Sequence, residues 1–157
     1  MAYIAGQYTA TFNSLAIGQT AEGFKFEFEL FKRLIMGDAL AEGPQDAVNR
    51  GVRCAIEYSI LNFNGSASLT CMWPLSATFL DAGVTGRLDS ALWHSLILTA
   101  LSGTPAAVAA APATLTLPNT ILHENYPVEL LFEPDLRVIP MRQRVYPNGS
   151  NVFGTQT

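Results

Sequence analysis

Gly23–Ile35 reads GFKFEFELFKRLI, and from Phe24 to Leu30 it alternates without a break. Phe24, Phe26, Phe28 and Leu30 fall on one side of that alternation, and Lys25, Glu27 and Glu29 on the other. A period of two belongs to a pleated strand, whose successive side chains point to opposite faces. On a helix the four large apolar residues would be scattered around the circumference. The stretch therefore predicts a strand with an aromatic face that must be buried and a wet, mainly acidic face turned to solvent.

Outward from that strand the pattern repeats. Gln7–Phe12 alternates as a first strand, and Asn13–Gly23 supplies turn residues before the central one. Gly51–Phe63 places Cys54, Ile56, Tyr58 and Ile60 on a dry face, and Arg53, Ala55, Glu57, Ser59 and Leu61 on a charged one. Asn64-Gly65 is a favoured tight-turn pair and predicts a hairpin to a strand over Ala67–Trp73. Between the two charged strands, Met36–Arg50 is broken by Gly37, Gly43, Pro44 and Asn49, with Gly51 closing it, and reads as a long loop. Hairpin loops usually have about 2–5 residues, and longer ones are functional or disordered.

Asp89 and Ser90 suit a helix start, and Leu92, Trp93, Leu96, Ile97, Ala100 and Leu101 recur as a helical stripe. Gly103 and Pro105 follow where a helix would stop. One amphipathic helix is thus expected over this segment, plugging an open side of the sheets. Further strands are expected at Ala113–Leu117, Val128–Phe132 and Leu136–Tyr146, the last with Pro140 at an edge or bulge because proline cannot donate to a ladder. The total, about seven strands and one helix, is a mainly β fold: a β-sandwich or partly closed antiparallel barrel with one flanking helix. Residues 1–147 form one domain and residues 148–157 a polar tail.

Composition narrows the function. Of 157 residues, 49% are hydrophobic and only 14% charged, against about 25% charged in an average soluble domain. Mean hydropathy is positive, +0.22, yet the weakly polar run Gly103–Pro118 is interrupted by prolines and does not read as a membrane span. A surface covered by other subunits reconciles these facts, as does one rich in Thr, Ser and Asn. The first residues show no basic segment followed by an apolar one, so a cytoplasmic start is expected. A net charge of −4 and a pI of about 5.0 argue against gripping nucleic acid, which needs a basic stripe.

No catalytic or metal motif emerges. There is no phosphate-cradling glycine loop, no GxSxG, no HExxH and no CxxC. Glu27 and Glu29 stand about 7 Å apart along one strand, side by side rather than converging across a cleft as a glycosidase pair must. Cys54 and Cys71 read as small core residues, or as a facing pair that a reducing cytoplasm leaves unbridged. No enzyme activity, cofactor or metal is expected. The remaining classes are a binding module and a self-assembling structural protein, and open sheet edges favour assembly because they must be paired or covered.

Three segments also carry a resemblance. Gly6–Leu30 (GQYTATFNSLAIGQTAEGFKFEFEL), Ala47–Leu61 (AVNRGVRCAIEYSIL) and Pro127–Pro147 (PVELLFEPDLRVIPMRQRVYP) are similar in pattern and order to the tail tube (major tail) proteins of long-tailed bacteriophages. DLRVIPMRQR, Asp135–Arg144, is the most specific part. The resemblance implies hexameric rings that stack into a virion tail tube, assembled in the host cytoplasm, through which DNA passes without specific binding. It implies tape measure, tail terminator and baseplate or tip proteins as partners, and no membrane insertion. Glu27, Glu29 and Glu57 become candidates for an acidic lumen lining, since a conduit should repel phosphate. Asp38, Glu42, Asp46 and Arg50 become candidates for ring-to-ring contact in the long loop, and Arg142 and Arg144 for an edge between subunits. The alternatives are a tail terminator, a capsid decoration protein, or a monomeric β-barrel for a small apolar ligand.

Overall fold

The structure, a computed structural model, describes residues 8–17, 20–37, 43–61, 65–83, 85–100, 113–130 and 138–157. Its elements are β1 (Tyr8–Phe12), β2 (Leu15–Ala16), β3 (Thr20–Met36), β4 (Pro44–Ile60), α1 (Gly65–Met72), a 3-10 turn (Asp89–Ala91), β5 (His94–Ala100), β6 (Thr114–Leu122), β7 (Ile139–Tyr146) and β8 (Thr155–Gln156). The protein is mainly β, with one short α-helix among the described residues. The strands form one antiparallel sheet in the order β2-β1-β5-β6-β7-β4-β3, with β8 pairing β6 off that path.

Chain length forces this sheet to curl. Laid flat, the path from β2 to β3 would span six strand spacings, about 29 Å. Yet Ala16 ends β2 and Thr20 begins β3, and four residue steps reach at most about 15 Å. The two ends of the strand order must therefore approach each other, and β1 does come into contact with β3. The ladder does not close, because β2 and β3 are not paired. The result is a partly closed, open-seamed sheet.

The inside of the curl is the core. Phe12, Ile56, Ile60, Leu96, Leu117 and Met141 are almost wholly buried there. Inward positions follow the strand period: Cys54, Ile56, Tyr58 and Ile60 are buried on β4, and Met141, Gln143 and Val145 on β7. The helix α1 packs against β1 and β6 and buries Cys71 and Met72.

Several expectations fail for physical reasons. Ala67–Trp73 is not a strand, because β4 already has β3 on one side and β7 on the other, so no edge remains for a hairpin partner. Gly65 instead begins α1, while Asn64 lies outside the described residues. Within the expected helix over Leu92–Leu101, Leu101 lies outside the described residues and His94–Ala100 is strand β5, flanked by β1 and β6. Its inward residues Leu96 and Leu98 recur every second position, and ladders on both sides outweigh the helical stripe. A helix does plug the sheet, but a different segment supplies it.

The long loop is also much shorter than expected. Pro44–Arg50 continues β4 as far as the pairing Met36↔Pro44. Asn49 and Gly51 are not turn residues; they flank the register shift at Phe31/Lys32, where Gly51 adopts φ +150. Val128–Leu130 packs on the core without joining a ladder, and the rest of that expected strand lies outside the described residues. The β6 ladder meets β7 from Gln143 onward and His123 N donates to the Arg142 carbonyl at 3.0 Å, so Pro140 sits before that contact, where no described strand lies on that side of β7, as its missing N–H requires. Residues 155–157 are part of the sheet: β8 pairs β6, and Thr157 and Thr114 exchange backbone hydrogen bonds of 3.0 Å.

Candidate functional site

Cross-strand register brings the wet face of three strands together. Lys25 stands opposite Glu57, Glu27 opposite Ala55 and Glu29 opposite Arg53. On the other side of β4, Glu57 stands opposite Arg142 and Ala55 opposite Arg144. Directly opposed residues share a face, so one charged surface runs across β3, β4 and β7 on the outside of the curl.

Its charges are paired. Lys25 Nζ lies 2.5 Å from Glu27 and 3.7 Å from Glu57. Arg142 donates to Glu57 and approaches Glu27 at 3.0 Å, bridging β7 to both neighbouring strands. Arg144 donates to both carboxylate oxygens of Glu124, through Nε at 2.7 Å, and touches His123 Nε2 at 3.0 Å. Arg53 lies over the Phe31 ring, 4.7 Å from its centroid. The hydrogen bond from Lys25 holds the Glu27 carboxyl below the usual carboxylate range, and the same contact raises Lys25. Arg144 likewise lowers Glu124 by its hydrogen bond. At the end of β7, Tyr146 donates to Asp89 at 2.6 Å and stacks obliquely on Trp93. Burial, followed by the hydrogen bond to Asp89, pushes its hydroxyl up to about 12.

A second feature is the two-stranded arm. Pairing between β4 and β7 starts at Cys54, so among the described strands Pro44–Arg53 has only β3 beside it and projects roughly 30 Å along the strand direction. The expected dry face is the right face, because Phe24, Phe26 and Phe28 oppose Tyr58, Ile56 and Cys54. Only Phe24 is sheltered there, packed against Tyr58. Phe26 is 39% exposed, Phe28 66% and Leu30 52%, because β3 is the outermost strand and no other described element lies over them. Past the register shift, Leu34 and Met36 share one face and Ile35 takes the other, all exposed.

The expected site residues fall into three groups. Glu27, Glu29 and Glu57 do share one outer face, but Glu27 and Glu57 are neutralised by Lys25 and Arg142, so the face is charge-balanced rather than acidic. Arg142 and Arg144 are not at an edge, because β7 lies between β4 and β6; they pair within the chain. Asp46 and Arg50 are exposed on the arm, where Asp46 Oδ1 accepts from Ala47 N at 2.7 Å. Asp38 and Glu42 lie outside the described residues. Sequence reasoning missed the exposed apolar run itself. The signal available was Leu34-Ile35-Met36, three consecutive apolar residues where alternation stops, which makes both faces of a strand apolar.

No family model matches the chain, and no curated protein matches it. No helix among the described residues is long and apolar enough to cross a membrane.

Proposed function

We propose that the chain is a structural, non-catalytic subunit that assembles with copies of itself into stacked rings forming a tube, as tail tube proteins of long-tailed bacteriophages do. The rings are hexameric, and the tube belongs to a virion tail and conducts DNA at ejection. Tape measure, terminator and baseplate proteins are its partners. The observation that carries this reading is β3: a 17-residue outermost strand with no described strand along its free side and aromatic side chains in water. Such an edge recruits another chain unless something blunts it. Subunits that pair edges around a closed ring leave none exposed.

The charged outer face suits a conduit by pairing rather than by bare negative charge. DNA binding strengthens with each phosphate that a free cation neutralises. On this face Lys25, Arg142 and Arg144 are each engaged by a carboxylate and Arg53 by a ring, so they offer phosphate little. Purified protein viewed by negative-stain electron microscopy, with sizing by light scattering, tests the reading. Rings or tubes of uniform diameter with a stain-filled centre are expected. A clean monomer at every concentration would overturn it.

A further inference from the structure

Gln143 interrupts the apolar side of β7. In Met141-Arg142-Gln143-Arg144-Val145 the two arginines lie on the charged outer face, while Met141, Gln143 and Val145 are buried in the core. An inward amide carries two N–H donors and a carbonyl acceptor. Gln143 opposes Ile56 of β4 on one side and Leu122 of β6 on the other, and neither side chain can answer it.

Thr120, the other buried polar residue among those described, shows how such a group is normally kept. It is just as deep, and its hydroxyl donates to the His94 carbonyl at 2.9 Å. Gln143 Nε2 and Oε1 find no hydrogen-bond partner in the protein, and neither does the Tyr58 hydroxyl. Among the described residues, these three are the buried side-chain polar atoms left without one. Each unmade bond costs the fold the desolvation of the group, so native proteins keep few of them.

The three atoms belong to neighbours. Tyr58 opposes Met141 and Gln143 opposes Ile56, so Tyr58 and Gln143 are diagonal neighbours on the inner face, roughly 7 Å apart. Two hydrogen bonds through one water span about 5–6 Å, and both side chains are long enough to close the difference. The Tyr58 ring rests against Phe24 of β3, with centroids 5.3 Å apart, and β3 lies on the side of β4 away from β7. That lean keeps the hydroxyl from bonding the amide directly. The Cys71 thiol of α1 lies beside the hydroxyl, but a thiol is a weak hydrogen-bonding group and is no substitute for a partner.

We infer that one ordered water bridges the Gln143 amide and the Tyr58 hydroxyl inside the curl, beside Cys71 of α1. Buried waters take two to four polar partners and occur at about one per 27 residues. The bridge joins β4 to β7 on the inner face directly behind Arg142 and Glu57, which join the same two strands on the outer face. The site is internal and does not depend on assembly.

A crystal or cryo-electron microscopy map of the wild-type chain that resolves ordered water tests this directly. Density about 2.7–3.2 Å from both the Gln143 amide and the Tyr58 hydroxyl is expected. A dry amide, or a direct bond between the two side chains, would overturn the bridge. Thermal melts supply a second test. Gln143→Met keeps the length of the side chain and removes the amide, and Tyr58→Phe removes only the hydroxyl. Each should lower the melting temperature. The double variant should fall clearly short of the summed losses, because either change alone already breaks the bridge. Circular dichroism confirms that each variant folds. A Gln143→Met variant that melts above wild type would show an amide with no partner at all and overturn the bridge. Fully additive losses would overturn it too, since two groups sharing one water must be coupled.

Discussion

The two halves of β4 belong to one strand and live in different worlds. From Cys54 to Ile60 it is flanked by β3 and β7, and Cys54, Ala55, Ile56, Tyr58 and Ile60 are buried. From Pro44 to Arg53 it has one neighbour, and no residue falls in the buried class. The partner strand breaks sooner, without changing its pattern: Phe24, opposite Tyr58, is sheltered while Phe28, opposite the buried Cys54, is 66% exposed. Alternation therefore says which residues share a face. Whether that face is covered depends on what lies over it, and for the arm no other described element does.

If that contrast is right, matched truncations in the two halves should differ most. Leu96→Ala removes a side chain that is wholly buried and should cost about 2–5 kcal/mol in urea denaturation of dilute protein. Leu34→Ala, on the arm, should stay within about 0.5 kcal/mol. Equal losses would mean that the arm is part of the folding core. A smaller effect is expected where the tail meets the sheet. A Cβ on Gly154 would lie 2.6 Å from Leu117 Cδ2 and 3.0 Å from the Thr116 carbonyl, and the first of these belongs to a buried core residue. Gly154→Ala should cost about 1–3 kcal/mol, whereas an unchanged melt would show that β8 detaches without consequence.

The smallest effect belongs to the outer face. Arg144 holds the Glu124 carboxyl below its usual range, so their pairing stabilises the fold at neutral pH and is lost as pH falls through that lowered value. The Glu124 side chain is 56% exposed, so solvent screening limits the effect of Arg144→Ala to about 1 kcal/mol at most. The difference from wild type should shrink in acid and in high salt. A cost that persists at low pH would point to lost packing of the arginine stem instead.

Much of this was legible in the residues. The strands β1, β3, β4 and β7 and the two faces of β4 follow from alternation, because a period of two is a local property of the pleated backbone. The charged face was legible too, since Glu27, Glu29, Glu57 and Arg142 sit at outward positions of their strands. Its neutrality was not, because the pairing of Arg142 with Glu57 joins residues 85 apart, and only register sets that partnership. The α1/β5 exchange has a similar origin. HSLILTA has apolar residues that satisfy a helix stripe and a strand, and the ladders offered by β1 and β6 decide between them.

What the chain determined by itself is a mainly β protein, low in charge, with one dry and one charged face on its central strands. Those features arise from side-chain chemistry at fixed spacing. Only the tertiary structure decided that β3 is outermost, that Pro44–Arg53 prolongs β4 into an arm, and that the sheet curls without closing. Each of these depends on which strands find each other across the chain. Four residue steps between β2 and β3 bring the two ends of the sheet together, while the strand order leaves an aromatic face that no other described element covers.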